Sequence, residues 1–287
     1  MKVKEKILEM VQKKESDIPT LPVVIDQIIS TASDDKSTVD QLAKIISFDQ
    51  AMTHKLLQLA NSIYYAQRNK VETIKRAIAV IGFDEIIGIA MGMGILKTFS
   101  HDSKLSLDMK ALWIHAIGVA TTAKALAMRT NPSIANKVFI PALLHDLGKV
   151  IFSLYFKDEY IKAREFAIER KKPLYVAEKK VLNIDHTMVS ALLMKRWNFP
   201  TSIIYPCRFH HSPEAAPTQL RYQSLILNLA DYLTQKAGIG YSGNPIPVAV
   251  KNVGQKIGVT EQVLHLSMDQ LKRKEKEINE FFRVTTQ

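Results

Sequence analysis

Residues Phe139-Ile-Pro-Ala-Leu-Leu-His-Asp-Leu-Gly-Lys-Val150 form an apolar stretch that carries a histidine and an aspartate side by side. The apolar character predicts one buried helix through the whole stretch. Burying the imidazole of His145 together with the carboxylate of Asp146 is costly unless a partner compensates them. A divalent metal is a suitable partner, because carboxylate and neutral imidazole are both good ligands. Since neighbouring side chains on a helix point about 100° apart, the remaining ligands must come from other helices.

Helical patterns run through the rest of the 287-residue chain, and no convincing alternating strand pattern accompanies them. The fold is therefore predicted to be all-α. In the second half, we expect a helix from Leu107 to Met128, another that Asp185 caps, and an apolar helix over residues 224–233. In the first half, glycines in an apolar segment predict a close helix crossing inside the core; they are Gly88, Gly92 and Gly94.

The polar stretch His101 to Ser106 reads as a linker between two helical bundles. We therefore expect an N-terminal helical part over residues 1–100 and a second helical domain over residues 101–287. Thr260 to Phe282 is predicted to close the second domain as one charged, amphipathic helix.

Composition limits the partners and the compartment. The net charge of +11 permits nucleotides, nucleic acid or acidic proteins as partners but selects none of them. A basic motif interleaved with aromatic residues and a helix-turn-helix pattern are both missing, which argues against nucleic acid. Cys207, the single cysteine, excludes an internal disulfide and fits a reducing cytoplasm. No membrane association is expected, because the uninterrupted apolar run Ile86 to Leu96 is too short to span a bilayer.

The chain has eight histidines, and any one alone is more often a core or surface residue than a ligand. An ordered set in the second half is different, because its members fall on separate predicted apolar elements or at their ends. His54 and His101 lie outside this pattern and are interpreted as structural or surface residues. The set comprises His115, His145, Asp146, His186, His210, His211 and Asp231.

The N-terminal part resembles the HDOD family, the HD-related output domain of bacteria. The matching segments are Ile18-Pro-Thr-Leu-Pro22, Ile46-Ser-Phe-Asp49, Leu59-Ala-Asn-Ser62-Ile-Tyr64, Thr73-Ile-Lys-Arg-Ala-Ile78 and Ile81-Gly82, and the resemblance continues to about Ser212. Gln50 departs from the proline that usually follows the aspartate in this family. The resemblance implies an all-helical signalling module rather than a particular chemistry.

The ordered set resembles the HD superfamily of metal-dependent phosphohydrolases, and most of all its HD-GYP branch. That resemblance covers about residues 107–233 and implies a site for two metal ions. One ion would be held by His115, His145, Asp146 and Asp231. Asp146 would bridge to a second ion held by His186, His210 and His211.

Lys149 and Glu178 each have two possible interpretations. Lys149 could hold a phosphate oxygen as a point charge, or it could be a helix C-terminal lysine that complements the dipole. Asp146 and Lys149 are the candidate catalytic residues. Glu178 lies where some relatives of the superfamily have an extra ligand, but we expect an exposed glutamate there. The imidazole-rich, thiolate-free ligand set suits iron or manganese best, with zinc or nickel as alternatives.

One departure separates the chain from HD-GYP enzymes. After the double histidine it reads His211-Ser-Pro-Glu-Ala-Ala-Pro217, without the glycine-tyrosine-proline loop of that branch. Two functions therefore remain open. The first is a signal-transduction output protein that binds a signalling protein or a nucleotide ligand. The second is a metal-dependent phosphohydrolase or phosphodiesterase that acts on a nucleotide or cyclic nucleotide.

Overall fold

The computed structural model describes residues 3–13, 18–34, 36–99 and 107–286. Helices account for 73% of the structure, and these ranges contain no strand, which confirms the all-α prediction. The first part of the chain supplies six helices: α1 (Val3–Gln12), α2 (Val23–Ala32), α3 (Val39–Ser47), α4 (Gln50–Ala60), α5 (Ile74–Ile81) and α6 (Phe83–Phe99).

The second part carries the candidate ligands on or beside its helices. Its first members are α7 (Met109–Thr130), α8 (Phe139–Leu144), α9 (Leu147–Tyr155), α10 (Lys157–Glu169), α11 (Leu174–Leu182) and α12 (His186–Arg196). The chain continues with α13 (Thr201–Phe209), α14 (Thr218–Ala237), α15 (Val253–Lys256), α16 (Glu261–Arg273) and α17 (Glu275–Thr286). Short 3-10 helices cover Pro132–Ile134 and Pro213–Ala215.

The prediction of one helix through residues 139–150 is wrong. The helix breaks between α8 and α9, and His145 and Asp146 form the break. Asp146 has φ −97° and ψ 10° and stands at the N-terminus of α9 without capping it. Its carboxylate instead contacts other side chains in the core, so the break releases both residues from one helical direction.

Local signals explain where the neighbouring helices begin and end. Asp185 caps α12 as expected, since its side chain accepts a hydrogen bond from the backbone N–H of Met188 at 2.9 Å. This cap places His186 at the first position of the helix. Thr73 caps α5 in the same way, and Gly82 ends that helix with φ 102°, a conformation that favours glycine.

The glycines of α6 produce the expected close crossings. A Cβ atom on Gly88 would lie 2.8 Å from Cγ1 of Ile140 on α8, and one on Gly94 would lie 2.4 Å from Ile25 on α2. Glycine at these positions therefore allows the helices to approach closely without displacing the side chains of Ile140 and Ile25. The Gly88 crossing joins α6 to α8, which immediately precedes His145, and the Gly94 crossing joins α6 to α2.

The predicted single terminal helix over residues 260–282 is two helices, α16 and α17, with a turn at Lys274. α17 packs on α4 and α6 of the first part and on α7 of the second. The proposed linker at residues 101–106 lies outside the described residues, and the division into parts 1–100 and 101–287 stays a prediction.

By length and composition, α7 could cross a membrane, but 78% of its most apolar window is buried inside the protein. The bent pair α5 and α6 passes the same test only when the two helices are taken together. Burial of this kind is typical of a core helix. α7 serves here as the central helix that carries His115.

Candidate metal centre

The seven predicted ligands meet in the interior of the second part of the chain. Their donor atoms fall into three overlapping groups, in each of which the atoms lie within 4.8 Å of one another. The groups are His115, His145 and Asp146; His145, His210 and Asp231; and His186, His210 and His211. Six of the seven residues are buried, and His211 is half-buried. The structure thus brings together every residue of the predicted set.

Asp146 belongs to the first group and also approaches His186 of the third. Its Oδ2 atom is 3.3 Å from Nε2 of His145, and its Oδ1 atom is 3.3 Å from Nε2 of His186. Each carboxylate oxygen therefore faces a different histidine. This arrangement suits a carboxylate that bridges two metal ions.

Asp231 approaches the same region from α14. Its Oδ1 atom is 3.0 Å from Nε2 of His115 and 4.0 Å from Nε2 of His145. The side chain amide of Gln235, one helical turn later, donates to Oδ1 at 2.6 Å. Asp231 is therefore oriented toward the two histidines of the first group.

Backbone and side-chain acceptors fix the orientation of three imidazoles. Nδ1 of His145 lies 2.7 Å from the Ala142 carbonyl oxygen, and Nδ1 of His210 lies 2.7 Å from the Cys207 carbonyl oxygen. Nδ1 of His186 lies 2.6 Å from Oε2 of Glu178. With Nδ1 donating its proton, a neutral imidazole presents the lone pair of Nε2 to the interior.

Those Nε2 atoms are buried and have no hydrogen-bond partner, and the same holds for Oδ1 of Asp146. Buried polar atoms of this kind normally have a partner. Several of them converge here, and each is a donor atom that transition metals accept. The residues present therefore fit a divalent transition metal.

The balance of buried charges also fits a bound divalent metal. Among the described residues, the buried carboxylates of Glu85 and Asp185 pair with Lys124 and Lys179. The remaining buried charged side chains are three carboxylates and one ammonium group, namely Asp146, Glu178, Asp231 and Lys149. The excess of negative charge would be compensated by divalent cations or by protons on the histidines.

Glu178 is fully buried, so the expectation of an exposed glutamate is wrong. Its Oε2 atom accepts hydrogen bonds from the backbone N–H of His186 at 2.9 Å and from the His186 ring at 2.6 Å. A carboxylate in this position orients the imidazole and makes it more basic. Glu178 therefore supports the ligand His186 by binding Nδ1 of its imidazole ring.

Replacing Glu178 with glutamine should weaken metal binding by roughly 10- to 100-fold, because the amide keeps the shape but removes the charge behind His186. Competition with a chromophoric chelator measures this affinity. Glu165→Gln on the exposed side of α10 is the matched control and should leave it unchanged. Equal affinities for Glu178→Gln and wild type would contradict the assigned role.

Lys149 is the third residue of α9, so the alternative in which it complements a helix C-terminus is wrong. The side chain is buried, and Nζ lies 2.6 Å from Oδ2 of Asp146. This ion pair places a positive charge on the same carboxylate oxygen that faces His145. Lys149 thus belongs to the cluster and partly neutralises it.

The cluster shifts the ionisation of its members in opposite directions. Burial opposes the charge of Asp146, but His145 and Lys149 outweigh it and hold the pKa of Asp146 well below its usual range. Burial lowers the pKa of His145, yet the nearby charges of Asp146 and Asp231 raise it overall. Burial, followed by the charges of His145 and His186, lowers the pKa of His210 to about 3. Burial and the charge of His210 also lower the pKa of His211.

The metal-free protein should lose stability as the pH falls from about 6.5 toward 4. The unfolded chain binds protons on His210 and His211 near pH 6.5, whereas the folded chain does not, because both pKa values are lowered. His145 has a raised pKa, so the folded and unfolded chains both carry its proton below about pH 6.5, and it does not change the stability in this range. The unfolded chain therefore binds up to two protons more than the folded chain, which corresponds to about 2.7 kcal/mol per pH unit.

Urea unfolding of chelator-treated protein at several pH values tests this dependence. Asp146 and Asp231 add to the loss only below about pH 4, where the unfolded carboxylates become protonated. A free energy of unfolding that stays constant or rises between pH 6.5 and 4.5 would be the opposite of the expected result.

Sequence reasoning missed four residues that support the ligands. Asn228 is buried and donates to the His210 carbonyl oxygen at 2.8 Å. The Ser190 hydroxyl accepts from the Gly148 N–H at 2.8 Å and donates to the His145 carbonyl oxygen at 3.2 Å. Gln235 contacts Asp231, and the Tyr175 ring stacks on His211 at 4.4 Å. Asn228, Ser190 and Gln235 each lie three or four residues from a predicted ligand on the same helix, and that spacing could have identified them.

A cavity of about 20 Å³ reaches Asp146. Its walls are otherwise apolar and include Leu96, Phe99 and Met109. This volume holds about one water molecule and is far smaller than a nucleotide site. On the other side of the cluster, half-buried His211 contacts solvent.

Comparison with known proteins identifies a protein family that matches this chain. The family model of the HDOD domain matches residues 18–213. That range includes six of the seven candidate ligands, while Asp231 follows it. The range also contains the sequence segments on which the resemblance to this family rests.

Relatives and solved structures agree with this match. An uncharacterized protein of Treponema pallidum (strain Nichols) is 27% identical over 226 residues, which are 78% of this chain and 43% of that protein. The chain therefore spans less than half the length of this relative. A crystal structure of an HDOD domain protein from Geobacter sulfurreducens is 24% identical, covers 98% of this chain and 95% of its own, and has a TM-score of 0.78. A proposed metal-dependent phosphohydrolase from Shewanella amazonensis is 16% identical, with coverages of 96% and 99% and a TM-score of 0.62. At these identities the two structures share the fold.

Proposed function

Because the chain belongs to the HDOD domain family, we propose that it is a signal-transduction output protein whose second half holds two divalent transition metal ions. The family supports the signalling role, and the converging unpartnered donor atoms support the metal. The buried, free thiol of Cys207 is compatible with a reducing cytoplasm, where we expect the protein to act.

In this proposal Asp146 is the shared ligand. Its two carboxylate oxygens, which face His145 and His186, would each be available to one ion. The first ion would be held by His115, His145, Asp146 and Asp231, and the second by Asp146, His186, His210 and His211. Iron or manganese suits this oxygen and imidazole set best, and zinc or nickel would also be accepted.

The burial of the cluster is the observation that favours signalling over catalysis. Six of the seven ligands are buried, and the cavity at Asp146 has a volume of about 20 Å³. A metal centre enclosed in this way stabilises the helices that hold it, since ion binding adds to folding free energy. We propose that it braces α7, α9, α12 and α14, while the first hundred residues bind the partner.

A binding experiment tests the signalling role. The full chain is used to capture partners from cells, and Phe48→Ser, which changes an apolar side chain that is 75% exposed in the N-terminal part, is compared with wild type. Capture that Phe48→Ser weakens and Asp146→Ala preserves supports a partner surface on the first hundred residues. Loss of capture only in Asp146→Ala contradicts that surface.

A metal-dependent phosphohydrolase or phosphodiesterase acting on a nucleotide or cyclic nucleotide is the second candidate. The position of Asp146 between two histidine groups and the ammonium group of Lys149 beside it favour this function. Two bound ions would polarise a phosphodiester and supply a hydroxide. Lys149 would then release Asp146 and hold a phosphate oxygen, and the solvent-facing side of His211 would be the entrance.

Hydrolysis assays separate the two candidates. Protein loaded with iron or manganese is incubated with bis(4-nitrophenyl) phosphate and with cyclic dinucleotides. The signalling proposal expects no metal-dependent hydrolysis. Turnover that disappears in Asp146→Ala and falls in Lys149→Met would establish the enzyme instead.

A further inference from the structure

A separate cavity of about 530 Å³ lies where α2, α4 and α6 meet the start of α7 and the end of α17. Its inner wall is apolar and includes the buried side chains of Ile25, Met52, Met93 and Phe99. The volume is typical of a small-molecule site. None of the seven candidate metal ligands lines it.

The outer wall is positively charged. Lys55, Lys97 and Lys110 line the cavity together with one carboxylate, that of Asp49. Asp49 also caps α4, because its side chain accepts a hydrogen bond from the Met52 N–H at 3.0 Å. The charges around the cavity therefore complement an anion.

Lys55 connects the charged and apolar parts. It is half-buried, and its Nζ atom donates to the Thr285 carbonyl oxygen of α17 at 3.3 Å. Burial and the charge of Lys97 lower the pKa of Lys55, and Asp49 opposes this shift. An anionic group between the two lysines would relieve their repulsion and the cost of burying a charge.

We propose that this cavity binds an amphipathic organic anion, with a carboxylate or phosphate group at the lysines and an apolar body against Ile25, Met52 and Phe99. Lysine is suited to such a head group, because its flexible side chain carries an ammonium group that can pair with either a carboxylate or a phosphate. The apolar wall contributes affinity by removing a hydrocarbon chain from water.

Isothermal titration with decanoate and with decyl phosphate tests the proposal, and decan-1-ol is the uncharged control. Saturable binding of at least one anion is expected, and the tighter of the two identifies the preferred head group. Lys55→Met and Lys97→Met should each weaken binding about tenfold, since each removes a charged partner. Lys44→Met changes an exposed side chain on α3; it is the matched control and should have no effect on binding.

A steric variant adds an independent check. Ala51 is exposed and lines the cavity, so Ala51→Trp should fill the entrance and abolish binding without disturbing the core. Thermal melting of the unliganded variants confirms that they fold. Equal binding of decan-1-ol, equal losses in Lys44→Met and Lys55→Met, or no saturable binding of either anion would each overturn the proposal. Metal content is measured in parallel, and its loss would bear on the metal centre alone.

Discussion

Replacing Asp146 with alanine should leave the protein unable to retain transition metal in either half of the centre. The two oxygens of this carboxylate face different histidines, each at 3.3 Å, so one substitution removes a ligand from both ions. The affinity should fall by about a hundredfold or more, because even residues behind the ligands are worth 10- to 100-fold. Elemental mass spectrometry of wild type and variant purified without chelator measures the loss.

Two further variants make this result specific. Asp146→Asn keeps the shape of the side chain and one oxygen, so it should retain some metal. Asp158→Ala, at an exposed position on α10, should retain all of the metal. Asp146→Ala also leaves the buried Lys149 ammonium without its partner, which costs about 3–5 kcal/mol. Circular dichroism therefore accompanies the metal measurement. A folded Asp146→Ala protein with wild-type metal content would refute the site.

Gly148→Ala should lower the free energy of unfolding by at least about 3 kcal/mol. A Cβ atom at this position would lie 2.1 Å from the His186 backbone oxygen, and a backbone atom cannot turn aside as a side chain can. The same contact brings the Gly148 N–H within 2.8 Å of the Ser190 hydroxyl. Separating α9 from α12 would also move His186 away from Asp146, so metal affinity should fall with stability.

Urea unfolding of the metal-free variants tests the packing prediction. Gly88→Ala is the matched control, since it also adds a methyl group to a buried helix. Its new Cβ would lie 2.8 Å from a side chain carbon of Ile140, which can shift, so the loss should be about 1 kcal/mol. Equal losses of unfolding free energy in the two variants would show that the close approach of α9 to His186 does not cause the destabilisation by Gly148→Ala.

The ligands could be predicted from the sequence because each is a polar residue in or beside an apolar helix. Burial of His115 and Asp231 follows directly from their positions among apolar neighbours. The cap at Asp185 was predicted for the same local reason, since a side-chain oxygen satisfies the first free N–H groups.

Three features that depend on packing between helices could not be predicted. The break at His145 and Asp146 has no proline and no polar run to mark it, and it lies where both side chains enter the cluster. Glu178 precedes Lys179 and Lys180 and looks exposed in sequence, yet α11 turns it toward His186. Lys149 follows a glycine, and only the break shows that it stands at the start of a helix.

The metal content of the wild-type protein tests the central claim most directly. Protein purified without chelator, then exposed anaerobically to iron or manganese and desalted, is measured by elemental mass spectrometry. We predict about two equivalents of transition metal per chain, as a bridging carboxylate between two histidine groups requires. A protein that remains folded and binds no transition metal under these conditions would contradict the account.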